Sequence, residues 1–143
     1  MAIPSRAEAD ELVKTPKIVT AMIHWQTKEG MQKLEVTIYA PEKQEILSLR
    51  GNIGKNSHGF ALLYKNYPIR RYSKHFRHRQ PDGTFVDEPH KHTWDAEQRD
   101  RHAYIPEDID PDDDINEKFL AFCRECNIEL EGGYESILPI TVG

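Results

Sequence analysis

Long apolar stretches are missing from this sequence. Only 38% of its 143 residues are hydrophobic, and no apolar run approaches the roughly 20 residues that a membrane-spanning helix needs. The segment Met1–Arg6 also lacks the apolar core of a secretion signal. We therefore expect a cytoplasmic protein that does not insert into a membrane.

An excess of positive charge is missing as well. The formal net charge is −5, whereas a protein that coats nucleic acid is usually basic throughout. The charges are nevertheless segregated: residues 65–79 carry six Lys or Arg and no acid, and residues 107–117 carry seven Asp or Glu. A locally positive face on an acidic protein can still attract phosphate groups, although a charged face can also be merely solvated.

Cysteine is scarce, and its two residues, Cys123 and Cys126, form one C-x-x-C pair. A redox pair uses a helix N-terminus to lower the thiol pKa, but this pair falls near the end of a predicted helix. A zinc site of two such pairs would need a second C-x-x-C, which the sequence lacks. Because Cys126 also belongs to the apolar stripe of that helix, we predict two buried structural thiols.

The patterns that are present predict one α+β domain over residues 1–143. We expect a curved antiparallel sheet of five to seven strands, a main C-terminal helix packed on one face and a short N-terminal helix. Alternation of apolar and polar residues predicts the strands, of which the clearest are Lys17–Gln26, Met31–Ala40, Glu45–Arg50, Phe60–Tyr64 and Tyr67–Phe76.

Capping residues predict where both helices begin and end. Ser5 and Glu8 form a capping box for the first helix, which Pro16 ends. The second helix is predicted over residues 112–127, with Asp110 as its cap and Asn127 as its left-handed terminator.

The Gly-rich stretch at residues 51–59 does not predict a nucleotide triphosphate site. The spacing G-x-x-x-x-G-K-[ST] is absent, because Asn56 follows Lys55. The residues that follow alternate as a strand, whereas a P-loop needs a helix N-terminus there. We interpret the stretch as a hairpin loop.

The densest chemistry lies in residues 67–104, which contain five of the seven histidines. A Pro81-Asp82-Gly83 turn predicts a basic hairpin. Beyond the turn, His90, His92 and Trp94 alternate, which would place them on one face of a strand.

Histidine can act as acid or base near neutral pH, and phosphodiester cleavage needs both roles as well as cations for the developing charge. We therefore interpret His90 and His92 as candidate catalytic residues. The alternative is that both bond to backbone groups and pack on Trp94. The candidates for contacting phosphate groups or stacking on bases are Arg70, Arg71, Tyr72, Lys74, His75, Arg77, His78, Arg79, Lys91 and Trp94.

A metal site is a second interpretation of the H-x-H pair, with His102, Asp87 or Glu88 as a third ligand. The H-E-x-x-H motif and the Asp/Glu-x-Lys triplet of many magnesium nucleases are both absent from the sequence. We therefore expect no metal and no cofactor.

Several short motifs, taken in order, resemble a family of small bacterial and phage-borne proteins known as a domain of unknown function. In that family a P-D-G turn precedes a P-H-x-H run and a C-terminal helix ending in C-N-I. The resemblance covers about residues 60–128 and implies a compact intracellular α+β domain, with an origin in a mobile or defence-associated gene neighbourhood. It implies no catalytic residue. The motifs are Arg70-Arg71-Tyr72, Pro81-Asp82-Gly83-Thr84, Pro89-His90-Lys91-His92, Ala103-Tyr104, and Phe119 and Phe122 through Asn127-Ile128.

Two functions from different classes follow. The first is recognition of a phosphate-bearing partner, RNA or single-stranded nucleic acid, with a metal-independent ribonuclease of toxin type as its sharper version. The second is a non-catalytic protein-interaction module, or a homodimer in which the basic hairpin docks the acidic run 107–114 of a second copy.

Overall fold

The structure is a computed structural model that describes residues 3–54, 57–74, 78–79, 85–86, 90–95, 99–104 and 114–137. Helix α1 spans Arg6–Lys14 and helix α2 spans Ile115–Glu125. The strands are β1 Lys17–Val19, β2 Gln26–Lys28, β3 Met31–Ala40, β4 Glu45–Ile53, β5 His58–Tyr64, β6 Tyr67–Lys74, β7 His78–Arg79, β8 Phe85–Val86, β9 His90–Asp95, β10 Arg99–Tyr104 and β11 Ile128–Leu130.

One sheet dominates the described residues. Its nine strands run in the order β10-β9-β6-β5-β4-β3-β1-β11, with β2 also pairing β3, while β7 and β8 pair with each other. All the pairings are antiparallel except that of β1 with β11. With two helices beside this sheet, the α+β fold class is confirmed.

The core lies between the sheet and the helices. Rings of α2 meet the sheet at Phe60, whose centroid is 5.4 Å from that of Phe119 and 5.8 Å from that of Phe122. Each of these rings is almost fully buried, and such burial stabilises the fold by about 1.5–3 kcal/mol per side chain. Helix α1 contacts β6 and β9. We call this side of the sheet the helix face.

The structure confirms three of the predicted helix ends: both ends of α1 and the C-terminal end of α2. The Ser5 hydroxyl accepts a hydrogen bond of 3.1 Å from the Glu8 amide, and α1 stops before Pro16. Asn127 follows α2 with a positive φ of 54°, the left-handed conformation expected of a terminator.

The start of α2 differs from its prediction. The helix begins at Ile115, and its cap is Asp114, whose carboxylate accepts a 2.9 Å hydrogen bond from the Glu117 amide. The predicted cap Asp110 lies outside the described residues. Asp114 directly precedes the apolar stripe that packs on the sheet. Its carboxylate therefore binds one of the amides that have no hydrogen-bond partner within the first turn of the helix.

The strand predicted over Lys17–Gln26 is divided in two. Between β1 and β2 the chain turns away from β3 and pairs with residues after β11: the Ile23 amide donates to Gly133 and the Glu135 amide to Ile23. Gly132 permits this approach, because a Cβ there would collide with the Ala21 carbonyl. Long-range pairing of this kind leaves no signature in local alternation.

The stretch 51–59 is also more regular than predicted, since β4 continues to Ile53 and β5 starts at His58. Gly51 lies inside β4, where a Cβ would overlap the Trp25 ring. This glycine therefore makes room for an aromatic side chain in the core.

Lys17 connects the ends of both helices. Its ammonium is buried and donates to the carbonyls of Val13 (2.9 Å), Thr15 (2.7 Å) and Cys126 (2.6 Å), which uses all three of its protons. Burial lowers the pKa of Lys17 to about 8, and the neighbouring Cys126 counteracts part of that shift.

Both cysteines are free and buried, as predicted. Burial raises the pKa of both thiols, that of Cys126 to about 12, so both are protonated at neutral pH. No helix among the described residues is long and apolar enough to cross a membrane.

Candidate functional site

The side of the sheet opposite the helix face carries a row of matched polar positions. Because Tyr72 stacks on Phe60 in the core, its neighbours Arg71 and Ser73 point to the other side, which we call the outer face. Arg50 pairs with Ala61, and Ala61 pairs with Arg71. Two arginines therefore flank an alanine across three strands.

A second row lies two residues away on the same face. Asn52 pairs with Gly59, and Gly59 pairs with Ser73. Together the two rows place an amide and a hydroxyl beside the two guanidinium groups. Gly59 and Ala61, between them, have little or no side chain.

These rows border an open pocket of about 320 Å³. The two arginine Cα atoms are two strand spacings apart, about 10 Å. Guanidinium groups on long side chains at that separation can converge on one phosphate, for which their planar donor arrays are suited. The residues around the pocket are Arg50, Asn52, Gly59, Phe60, Ala61, Leu63, Pro68, Arg71, Tyr72 and Ser73.

The outer face is positive although the chain as a whole is acidic. On its described strands β2 to β6, Lys28, Lys33, Arg50 and Arg71 are opposed by a single acid, Glu35. Arg50 Nε lies 3.4 Å from Glu35 Oε2, but both side chains are about half exposed or more. A pair as exposed as this contributes little and leaves Arg50 able to exchange partners.

The predicted catalytic residues lie next to this pocket along the sheet. His92 pairs with Arg71, and His90 pairs with Ser73, so each histidine extends one of the two rows onto β9. The structure gives these positions in the sheet, and the two imidazole side chains lie outside the described part. The catalytic role of His90 and His92 stays a prediction.

Two of the predicted phosphate-binding cations lie on the helix face instead. Arg70 Nη1 is 3.2 Å from Glu125 Oε2, and Arg70 Nη2 is 3.8 Å from Asp10 Oδ1. Lys91, with no exposed surface, lies 3.0 Å from the other Glu125 oxygen. The predicted contact of Arg70 and Lys91 with nucleic acid does not fit these positions, because both charges are already paired inside the fold.

The predicted stacking residues are buried too. Tyr72 is 0% exposed, lies 5.7 Å from the Phe60 centroid at 17°, and has a pKa that burial raises to about 12. Trp94 is 2% exposed and donates from Nε1 to the Pro4 carbonyl at 2.8 Å. Neither ring is open to a base, because each completes the core.

The remaining predicted residues fall where side chains are not described. Lys74, His78 and Arg79 occupy strand positions, whereas His75 and Arg77 lie outside the described residues. The alternative metal ligands His102, Asp87 and Glu88 are likewise outside the described side chains. Within the part of the chain that the structure describes, no three His, Cys, Asp or Glu side chains form a metal-binding group.

Strand register brings in residues that the sequence did not single out. Arg50 is the last residue of the predicted third strand, and Asn52 joins it on the outer face because β4 continues through the stretch predicted as a loop. Tyr39 is 40% exposed on the same face and pairs with Ile46, which is 64% exposed. The alternation of apolar and polar residues along β3 and β4 indicates which of their side chains share a face. It does not predict which strands become neighbours in the sheet.

Comparison with known proteins identifies a family. The chain matches a family described as a family of unknown function (DUF6978) over residues 5–128. The chain belongs to this family. The resemblance to a domain of unknown function is therefore confirmed. The DUF6978 match begins at residue 5, whereas the motifs that suggested the resemblance begin only at about residue 60. No curated protein and no solved structure matches the chain.

Proposed function

We propose that this DUF6978 protein recognises a phosphate-bearing partner, RNA or single-stranded nucleic acid, through the pocket on its outer face. The observation that carries the proposal is the cross-strand row Arg50–Ala61–Arg71, with Asn52 and Ser73 beside it. We expect this recognition to take place in the cytoplasm.

The chemistry of the row supports phosphate in particular. Arginine donates two parallel hydrogen bonds to phosphate oxygens, and such charge-assisted bonds are about twice as strong as neutral ones. Asn52 and Ser73 can add neutral donors, and the small residues between the arginines leave space for the anion. The positive outer face would concentrate polyanions near the pocket despite the net charge of −5.

Binding is tested by fluorescence anisotropy with a labelled 12-nucleotide oligouridylate. Arg50→Gln and Arg71→Gln should each weaken binding at least tenfold, since each removes a charged phosphate contact worth about 1.5–3 kcal/mol. Arg124→Gln is the matched control, because Arg124 is exposed on α2 and its loss changes the net charge equally. Equal affinity of all three variants and the parent would refute the proposal.

Arg50→Gln keeps this test independent of folding, since Arg50 is about half exposed on a strand surface. Arg71 is less exposed, so its variant must show an unchanged circular dichroism spectrum before its affinity is interpreted.

The sharper version of the proposal is a metal-independent ribonuclease with His90 and His92 as proton donor and acceptor. The register supports it, because His92 pairs with Arg71 and His90 pairs with Ser73, so both positions lie on the strand next to the pocket. Labelled RNA incubated with the protein and EDTA should then be cleaved. Absence of cleavage, or cleavage unchanged in His90→Ala/His92→Ala, would leave a binding protein without this activity.

A second candidate is a protein-interaction module, favoured by the exposed pair Tyr39 and Ile46 at one end of the outer face. Analytical ultracentrifugation distinguishes the two candidates. Self-association of the parent, lost in Tyr39→Ser/Ile46→Ser and accompanied by no affinity for RNA, would favour this module over nucleic-acid recognition.

A further inference from the structure

We infer, on the basis of the proposed function, that the outer face takes an extended single strand of nucleic acid whose phosphates cross the sheet from β6 to β2. This differs from recognition of one isolated phosphate group. The strand would lie across the direction of the β-strands, and Lys33 and Lys28 would contact phosphates beyond the arginine pocket.

A second groove continues the pocket in that direction. It has a volume of about 480 Å³ and shares Arg50 and Asn52 with the first. Its other polar residues are His24, Gln26, Lys28, Lys33 and the single acid Glu35. Two depressions that share their boundary residues form one path for a ligand longer than either.

The strand register gives the path its length. One polar row runs from Ser73 on β6 through Gly59, Asn52 and Lys33 to Gln26 on β2. Its four strand-to-strand steps of about 4.8 Å cover about 19 Å. One phosphate group cannot span that distance, whereas a nucleic-acid strand carries a phosphate about every 3.4 Å along a helix axis.

The depth of the pocket favours a single strand over a duplex. Ser73, at one end of the polar row, is 4% exposed, so this end of the row is recessed below the surface. A flexible single strand can follow such a surface. A duplex is stiff over about 50 nm and cannot bend into a depression a few residues wide.

The salt dependence of binding counts the phosphates that are contacted. For single strands, log Kobs falls with log [salt] by about 0.7 for each neutralised phosphate. Lys28→Gln/Lys33→Gln should therefore weaken binding of the 12-nucleotide oligouridylate and make its slope shallower by about 1.4. The control Lys14→Gln/Lys43→Gln removes the same charge from lysines of α1 and the β3–β4 turn and should leave the slope unchanged.

Uridine monophosphate separates this inference from the proposed function. Its affinity should fall in Arg50→Gln and stay unchanged in Lys28→Gln/Lys33→Gln. An unchanged oligouridylate slope in the lysine variant, together with weaker binding in Arg50→Gln, would overturn the extended path and leave the phosphate pocket standing. Unchanged binding in Arg50→Gln would overturn both.

Two further ligands test the nature of the strand. A 12-nucleotide oligothymidylate should bind with the same slope as oligouridylate, because the contacts are to phosphates. A 12-base-pair duplex that binds more tightly than either single strand would contradict the inference.

Discussion

At the scale of single residues, Tyr72 was predicted to contact nucleic acid but lies in the core, where its buried hydroxyl lowers the stability of the fold. It is fully buried, and its hydroxyl finds no hydrogen-bond partner among the described residues. Burying an unpaired hydroxyl costs about 1–3 kcal/mol. The sequence predicts that Tyr72 and Arg71 point to opposite faces of the sheet. It does not predict which of the two faces the helices cover.

We expect Tyr72→Phe to raise the free energy of unfolding by about 1 kcal/mol at pH 7, since it removes only the unpaired hydroxyl. The gain should grow with pH. Unfolded tyrosine loses its proton near pH 10, whereas burial raises the pKa of folded Tyr72 to about 12, so the parent protein loses stability between these values. Urea unfolding at pH 7 and pH 10.5 measures both effects.

The exposed Tyr39 provides the control for that measurement. Tyr39→Phe should change stability by less than about 0.5 kcal/mol at either pH. A loss of stability in Tyr72→Phe at pH 7 would show that its hydroxyl contributes a hydrogen bond.

At the scale of elements, Glu125 joins α2 to the sheet through Arg70 and Lys91. This network explains why two of the predicted phosphate contacts lie inside the molecule. Strand and helix patterns predicted the elements themselves, because capping and alternation are local. The network was not predictable, because its members are separated by up to 55 residues and meet only through sheet order and helix placement.

Removing Glu125 should be strongly destabilising. In Glu125→Ala the fully buried Lys91 and the largely buried Arg70 lose their shared carboxylate, and we expect the free energy of unfolding to fall by about 3 kcal/mol. Glu11→Ala, which breaks the exposed pair with Lys43 at 3.5 Å, should cost less than about 1 kcal/mol. Urea unfolding compares the two.

A double variant checks that the cost comes from the uncompensated charge. Lys91→Met in the Glu125→Ala background should cost less than it does alone, because it removes a cation that has already lost a partner. Strictly additive losses would argue against a coupled network.

At the scale of the whole molecule, the two faces of the sheet differ in what they carry. The helix face holds both helices, both cysteines and the Glu125 network. On its described strands β2 to β6 the outer face carries four cationic side chains and one acid, although the chain as a whole is acidic. The sequence predicted anion binding by Arg70 and Arg71; the register keeps Arg71 on the outer face, adds Arg50 beside it and places Arg70 on the helix face.

The most direct measurement is a two-dimensional amide NMR titration of the isotope-labelled protein with oligouridylate. If phosphate binds the outer face as proposed, the amide signals of Arg50, Ala61 and Arg71 should shift with ligand concentration. Those of Phe119 and Phe122 in α2, on the opposite side of the sheet, should stay in place. Shifts centred on α2, or no shifts on β4 to β6 at saturating ligand, would contradict the assignment of the outer face as the nucleic-acid site.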